Sequence, residues 1–380
     1  MRVACPGCGA DAVTVMRVEG QPVVLNYRFA DPASARAVPR GDLDLVQCSR
    51  CGLVSNAAFS AALLPYDAHY ENSQSHSAAF RSYLETVAGN LVTRHGVAGK
   101  RVLEIGCGKG AFLALLAERG DNAGDGYDTT WEDDGRPHDR RLRFFARRLT
   151  AREVTGPYDA VVCRHVIEHV PDVRGFLGEL AAIAAAAGDP IVMLETPALE
   201  WICAHACFWD LFYEHCNYFP RATLAWLCKQ AGFEVLAHDE GFDGQYQILW
   251  LRRAGRPFSS PAPDVAAADL SAAAVAMERR RRGLESDLAA ADGARGWAIW
   301  GAGAKGVTLA HRVTSPPRCL IDTNPAKQGG YIPGLATPIV APDAAIVRDV
   351  AVVVIANPNY ADEIRAELHF RGFTGGIVTL

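Results

Sequence analysis

The segment FYEHCNYF, Phe212 to Phe219, sets Glu214 beside His215 among four aromatic rings. Histidine is the side chain whose ordinary pKa lies near neutrality, so it can take and return a proton. Apolar rings around it lower the local dielectric and strengthen every charge interaction there. The bland reading is a helix or loop that happens to carry two polar residues. Three further groups of residues bear on the choice: four cysteines, and two glycine loops far apart in the chain.

Cys5 and Cys8 stand in CPGCG, Cys48 and Cys51 in CSRCG. Each CxxC followed by glycine forms a tight knuckle that aims two thiolates at one ion. Two knuckles complete a tetrahedral set, which suits a structural Zn²⁺ and leaves no open position for catalysis. Cys8 and Cys48 lie 40 positions apart, longer than the roughly 15–20 residues of common fingers. A small β-structured insert between the knuckles accounts for the difference. The other seven cysteines show no pairing, and burial is their reading.

The run KRVLEIGCGKGAFLALLAERG, Lys100 to Gly120, reads as buried strand, turn and apolar helix. Glu104 precedes Gly106, Gly108 and Gly110. Glycines let the backbone approach a ligand and aim a helix N-terminus at it, so the loop suits a nucleotide-type cofactor. Asp128 in GYDTT follows Gly106 by 22 positions, where an acid at the end of the second strand can accept ribose hydroxyls. YDAVVCRHVIEHVPD, Tyr158 to Asp172, supplies a further strand and a loop with Arg164, His165 and His169. After Asp128, TTWEDDGRPHDRR holds Gly135, Pro137 and many charges, so a helix there is short or missing.

WAIWGAGAKGVTLAH carries Gly301, Gly303 and Gly306 around Lys305, and Asp322 follows Gly301 by 21 positions. That spacing is a dinucleotide fingerprint. About 85 residues form this unit, small for a complete dinucleotide fold. It reads either as an NAD site or as a unit holding a nucleotide or phosphate portion of a substrate.

These groups need elements to carry them. A chain of 380 residues exceeds one ordinary core. The boundaries read as residues 1–60, 61–252, a Pro- and Ser-rich linker with an Ala/Arg-rich helix over 253–294, and 295–380. Alternating strand and helix patterns in the second and fourth units predict parallel α/β sheets. The formal charge of −5 argues against a nucleic-acid partner. The basic run Arg279 to Arg282 reads as a solvated helix face. No leader pattern and no run of about 18 apolar residues appears, which predicts a cytoplasmic protein with no membrane partner. Oligomeric state is not legible.

Taken together, the chain resembles the S-adenosylmethionine-dependent sugar C-methyltransferases, the nucleotide-sugar C-3′-methyltransferase type in particular. The resemblance rests on CPGCG…CSRCG, LEIGCGKG, HVIEHVPD, FYEHCNYF, GAGAKG, IDTNPAKQGGYIPG and NYADEI, in that order. It implies a class I methyltransferase (Rossmann-like) α/β core. A small N-terminal zinc-binding domain precedes that core, and a second Rossmann-like domain follows it. It implies that Glu104, Gly106, Gly108, Gly110, Asp128, Arg164 and His165 hold S-adenosylmethionine. His215 would remove the proton beside a ketone on a nucleotide-linked keto sugar. Glu214 and Tyr70 would orient the substrate, with Tyr66 the second choice for the tyrosine. Tyr66, Tyr213, Gly301, Gly303, Lys305 and Asp322 would touch the substrate. The segment HYENSQSHS departs from the Tyr and Ser-Ser pattern of the sugar enzymes, so the acceptor need not be the usual deoxysugar. An O-methyltransferase of a polar metabolite and a non-catalytic nucleotide-binding protein are the alternatives.

Overall fold

The computed structural model describes residues 3–64, 71, 76–133, 139–258, 261–263, 269–292 and 295–380. In chain order the first unit comprises β1 (Val3–Ala4), β2 (Asp11–Pro22), α1 (Pro32–Arg36), β3 (Arg40–Cys48) and β4 (Val54–Asn56). The second comprises α2 (Ala78–Thr93), β5 (Arg101–Ile105), α3 (Ala111–Gly120), β6 (Ala123–Tyr127), β7 (Leu142–Phe145) and β8 (Ala160–Arg164). It continues with α4 (Val173–Ala186), β9 (Ile191–Pro197), α5 (Leu199–Ala204), β10 (Asn217–Tyr218), α6 (Arg221–Gln230), β11 (Phe233–Gly241) and β12 (Tyr246–Arg253). Helix α7 (Leu270–Asp292) leads to β13 (Trp297–Trp300), α8 (Ala304–Arg312), β14 (Cys319–Ile321), β15 (Ile339–Val340), α9 (Ala345–Asp349), β16 (Val352–Ile355), α10 (Ala361–Phe370) and β17 (Gly376–Thr379).

Three sheets result. The central one has seven strands in the order β11-β12-β9-β8-β5-β6-β7. Only β12 runs against its neighbours. Its inner strands are near-continuous apolar runs because both faces are covered. Leu103, Val161 and Leu194 face α4 and α6; Val102, Val162 and Met193 face α2 and α3. Order reverses between β5 and β8, and the carboxyl ends there open a crevice for ligands. Among the described residues no helix joins β6 to β7, as the charged, Pro-containing run predicts.

The C-terminal sheet has five parallel strands, β15-β14-β13-β16-β17. This small unit therefore has its own switch point, between β13 and β16. Helix α7 is not a free linker. Leu270, Ala273, Met277, Leu284 and Leu288 recur at helical spacing and are buried in one cluster with Trp209, Tyr213 and Trp297. Its basic run is only partly solvated: Arg281 pairs with Glu278 and Glu285, and Arg280 lies 4.9 Å from the Trp209 ring centroid.

The N-terminal sheet, β1-β2-β3-β4-β10, takes its last strand from residues 217–218. A boundary at residue 60 therefore cuts across a sheet. The join is tight: a Cβ on Gly41 would come within 2.2 Å of the Tyr213 ring. No helix among the described residues is long and apolar enough to cross a membrane. Gly41→Ala is expected to destabilise the protein by about 1–3 kcal/mol through overpacking, read as a lower urea midpoint.

Candidate active site

Strand β5 ends on Ile105 and the chain turns at Gly106, whose φ is 72°. A Cβ there would meet the Val166 side chain at 2.2 Å, so only glycine lets this loop pass the loop after β8. Gly108 N–H donates to Asp128 Oδ2 (2.8 Å), and Thr130 N–H and hydroxyl both donate to Oδ1 at 2.7 Å. Asp128 is thus aimed by its own turn. Gly110, with φ 78°, caps the start of α3. Glu104 is buried beneath the loop, and its Oε2 has no hydrogen-bond partner among the described residues. Burial pushes its carboxyl up to about 8. A buried acid with an unmet oxygen beside a glycine cradle fits the cationic amino-acid end of S-adenosylmethionine.

Arg164 lines the same cavity as this cradle and is committed to a second buried acid. Its guanidinium grips the buried Glu195 at 2.7 and 3.2 Å and lies 4.4 Å from the Phe112 ring centroid. Tyr83 hydroxyl donates to the same carboxylate at 2.8 Å. His165, at φ 53°, stands 2.9 Å from Glu195 and 3.3 Å from Glu168. Burial works to raise the Glu195 pKa, but Arg164 and His165 hold it far below the usual carboxylate range. Burial also opposes charge on His165, yet the two carboxylates outweigh it and raise its pKa to about 9.

His215 lines the cavity described below, packed edge-on against His169 and Phe212 with centroids 4.8 Å away in each case. Its Nδ1 is buried with no hydrogen-bond partner among the described residues. Burial drives its pKa well below 6.5, and His169, His165 and Lys305 push the same way. The ring is neutral and able to accept a proton. His169 Nδ1 contacts the Glu214 carbonyl at 2.9 Å. A carbonyl only accepts, so His169 Nδ1 carries the proton and Nε2 has the lone pair.

The neighbours of His215 point elsewhere. Leu25 N–H donates to Glu214 Oε1 at 2.5 Å, and that side chain does not line the cavity. Tyr213 is 1% exposed, lies on Phe59, and its hydroxyl accepts the Ser60 N–H at 2.9 Å. The substrate contact read for Tyr213 is therefore not met; its ring is core. Tyr66 and Tyr70 lie outside the described residues.

In the C-terminal unit, Ala302 N–H donates to Asp322 Oδ2 and Asn324 N–H to Oδ1, both at 2.8 Å. A Cβ on Gly306 would strike the Gly301 carbonyl at 1.9 Å, so glycine lets α8 pack on β13. Lys305 bonds the buried Asp210 of the central unit. Lys327, 6% exposed, donates to the Ala302 carbonyl at 3.2 Å. Sequence reasoning missed Asp210, Glu195 and Lys327, whose roles come from partners distant in the chain. Only Lys327 had a signal, as the one cation of IDTNPAKQ.

One cavity of about 1040 Å³ joins these parts. Glu104, Gly106, Gly108 and Asp128 line one side and Gly301, Gly303, Lys305 and Asp322 the other, with Arg164, His165, His169 and His215 also on its wall. Away from it, Cys5, Cys8, Cys48 and Cys51 bring their sulfurs within 4.8 Å of one another, with Cys5–Cys51 at 3.7 Å and Cys8–Cys48 at 3.4 Å. Tetrahedral Zn–S bonds of about 2.3 Å put sulfurs about 3.8 Å apart, so the four could hold such an ion.

Residues 78–238 match the family model of a methyltransferase domain, and residues 274–379 that of a C-methyltransferase C-terminal domain. The ubiquinone biosynthesis O-methyltransferase of Pseudomonas aeruginosa is 37% identical over 92 residues, covering 21% of this chain and 37% of that protein. That of Chromobacterium violaceum is 35% identical over 94 residues, covering 22% and 39%. The chain thus spans well under half the length of these curated relatives. Among solved structures, the magnesium protoporphyrin IX methyltransferase of Synechocystis PCC 6803 aligns over 46% of this chain and 84% of its own. Its sequence identity is 17% and the TM-score 0.36.

The raised pKa of His165 has a sign. Its contribution to stability is complete below about pH 6.5 and is lost as pH rises through about 9. The difference in unfolding midpoint between wild type and His165→Gln should be widest near pH 6 and close by about pH 10.

Proposed function

From a methyltransferase domain and a C-methyltransferase C-terminal domain in one chain, we propose an S-adenosylmethionine-dependent C-methyltransferase. Its acceptor is the carbon beside a ketone, on a nucleotide-linked keto sugar or similar metabolite, and His215 is the general base. The observation that carries this reading is the single cavity: two glycine loops of nucleotide-binding type open into it, and a neutral imidazole shares its wall.

Glu104, Gly106, Gly108, Gly110 and Asp128 would hold the cofactor, which when bound supplies an electrophilic methyl group. His215 takes the proton beside the ketone. Its ring is in the neutral form, the one that can accept a proton. His169, with its proton committed to the Glu214 carbonyl, keeps its ring fixed against His215. Arg164 and His165, both on the cavity wall, would touch the cofactor, held in place there by the buried Glu195. Gly301, Gly303 and Asp322 would hold the nucleotide carrier. The matched relatives are O-methyltransferases, which keeps methylation of a hydroxyl as the second reading.

Two measurements test this. The protein should bind radiolabelled S-adenosylmethionine. It should also exchange the proton beside the ketone of a nucleoside-diphosphate-4-ketohexose with D₂O, in the absence of cofactor. His215→Ala should slow exchange by about 10²–10⁴-fold; exchange that survives it unchanged removes His215 as base. No exchange by wild type, with methyl transfer to a hydroxyl, selects the O-methyl reading.

We also propose that the four cysteines hold one structural Zn²⁺. Elemental analysis should find about one zinc per chain, and Cys48→Ser should lower the unfolding temperature. Because the knuckle at Cys48 and Cys51 leads directly into β4, which pairs with β10, that variant should slow exchange as well.

A further inference from the structure

Removing a proton beside a ketone leaves negative charge on the carbonyl oxygen, and a dry site must supply a donor or cation for it. Among the described residues, six lysines and arginines line the cavity: Lys109, Arg147, Arg148, Arg164, Lys305 and Lys327. Lys109 belongs to the cofactor loop and donates to the Thr130 carbonyl at 3.2 Å. Arg147 lies over the Tyr127 ring and pairs with Glu153, and Arg148 follows it on the same exposed rim. Arg164 is held by Glu195. Lys327 donates to the Ala302 carbonyl, among the charges of Asp322, Glu71 and Glu214.

Lys305 differs from the other five. Its side chain is 17% exposed, and Asp210, 5% exposed, anchors its ammonium from the central unit. The Trp201 ring centroid lies 5.2 Å from Nζ. An ammonium has three N–H donors, and Asp210 takes one, leaving two for the cavity. Lys305 and His215 line the same cavity, and the Lys305 charge is among the positive groups that disfavour a protonated His215.

We propose that Lys305, anchored by Asp210, is a catalytic residue that donates an N–H to the ketone oxygen as His215 takes the neighbouring proton. In that step the lone pair of His215 forms the new N–H bond. The C–H pair becomes the enolate C=C, the C=O π pair moves to oxygen, and Lys305 receives that charge. This assigns Lys305 to the reacting carbonyl rather than to a phosphate of the carrier. It also makes the site composite: the base comes from the central unit and the oxyanion donor from the C-terminal unit. The inference rests on the C-methylation reading above.

The test is the same D₂O exchange, with the thymidine and uridine diphosphate forms of a 4-ketohexose as probes. Lys305→Met should lower the exchange rate at saturating sugar by about 10²–10³-fold, the loss typical of one oxyanion donor. The apparent sugar affinity should change less than about 5-fold. Lys305→Arg, which keeps the charge, should recover part of the rate. The pair Lys305→Met with Asp210→Asn removes the stranded buried carboxylate and should remain as slow as the single variant. Binding of S-adenosylmethionine and the unfolding temperature of the double variant serve as checks on folding. Exchange at the wild-type rate under saturation, with only the affinity for sugar lost, overturns the proposal and makes Lys305 a carrier contact. Absence of exchange in wild type sinks the C-methylation reading itself, and the role of Lys305 with it.

Discussion

Strand β10 is the constraint on which the site depends. Asn217 and Tyr218 pair with Ser55 and Val54 of the N-terminal sheet. Asn56 N–H donates to the Cys216 carbonyl at 2.9 Å. On the other side Asn217 Nδ2 donates to the Val170 carbonyl at 2.8 Å, and the Cys216 thiol to that of Glu168 at 3.4 Å. The loop closes on itself, because Tyr218 hydroxyl accepts the Phe212 N–H and donates to its carbonyl. Buried backbone groups met in this way cannot turn away without losing several hydrogen bonds at once. His215 therefore sits where three elements agree, and the four-cysteine knuckle beneath β4 becomes part of its support.

Charge is divided across the cavity wall with some economy. His165 is held charged by Glu195 and Glu168, while His215 is held neutral by burial and by the positive groups near it. Two imidazoles in one cavity thus stand in opposite protonation states at neutral pH. The difference comes from which carboxylates face each ring, not from burial, since burial lowers both. Only the neutral one can accept a proton, which is why the geometry favours His215 over His165 as base under the proposed chemistry.

The glycine loops were legible because a backbone constraint chooses the residue. Gly106 must pass Val166, and Gly306 must pass the Gly301 carbonyl, so residue type and spacing report the turn directly. Asp128 and Asp322 were legible for a related reason, since each is aimed by amides a few positions away in its own turn or in its glycine loop. Tyr213 misled because adjacency in sequence is not adjacency in space. Successive residues of an extended or turning chain aim their side chains in different directions. His215 takes the cavity, Glu214 meets Leu25 and Tyr213 enters the core of the N-terminal unit. Asp210 and Glu195 have no local signature at all; a lone acid acquires its meaning only from the cation that folding brings to it.

The C-terminal unit reaches the central network by a route that packing alone does not suggest. Glu363 of α10 accepts from Ser77 hydroxyl at 2.8 Å and from the Ala78 and Ala79 amides at 3.2 and 3.1 Å. A carboxylate there meets the unsatisfied N–H groups and the positive end of the α2 dipole. Helix α2 in turn carries Tyr83, whose hydroxyl holds Glu195, which holds Arg164. With the Lys305–Asp210 pair, the C-terminal unit thus fixes two walls of the cavity from opposite directions. A unit so placed does more than close one side of the cavity. It helps set the position of Glu195, Arg164 and Asp210 around the cavity, so under the proposed chemistry loss of its contacts would act on the reaction as well as on binding.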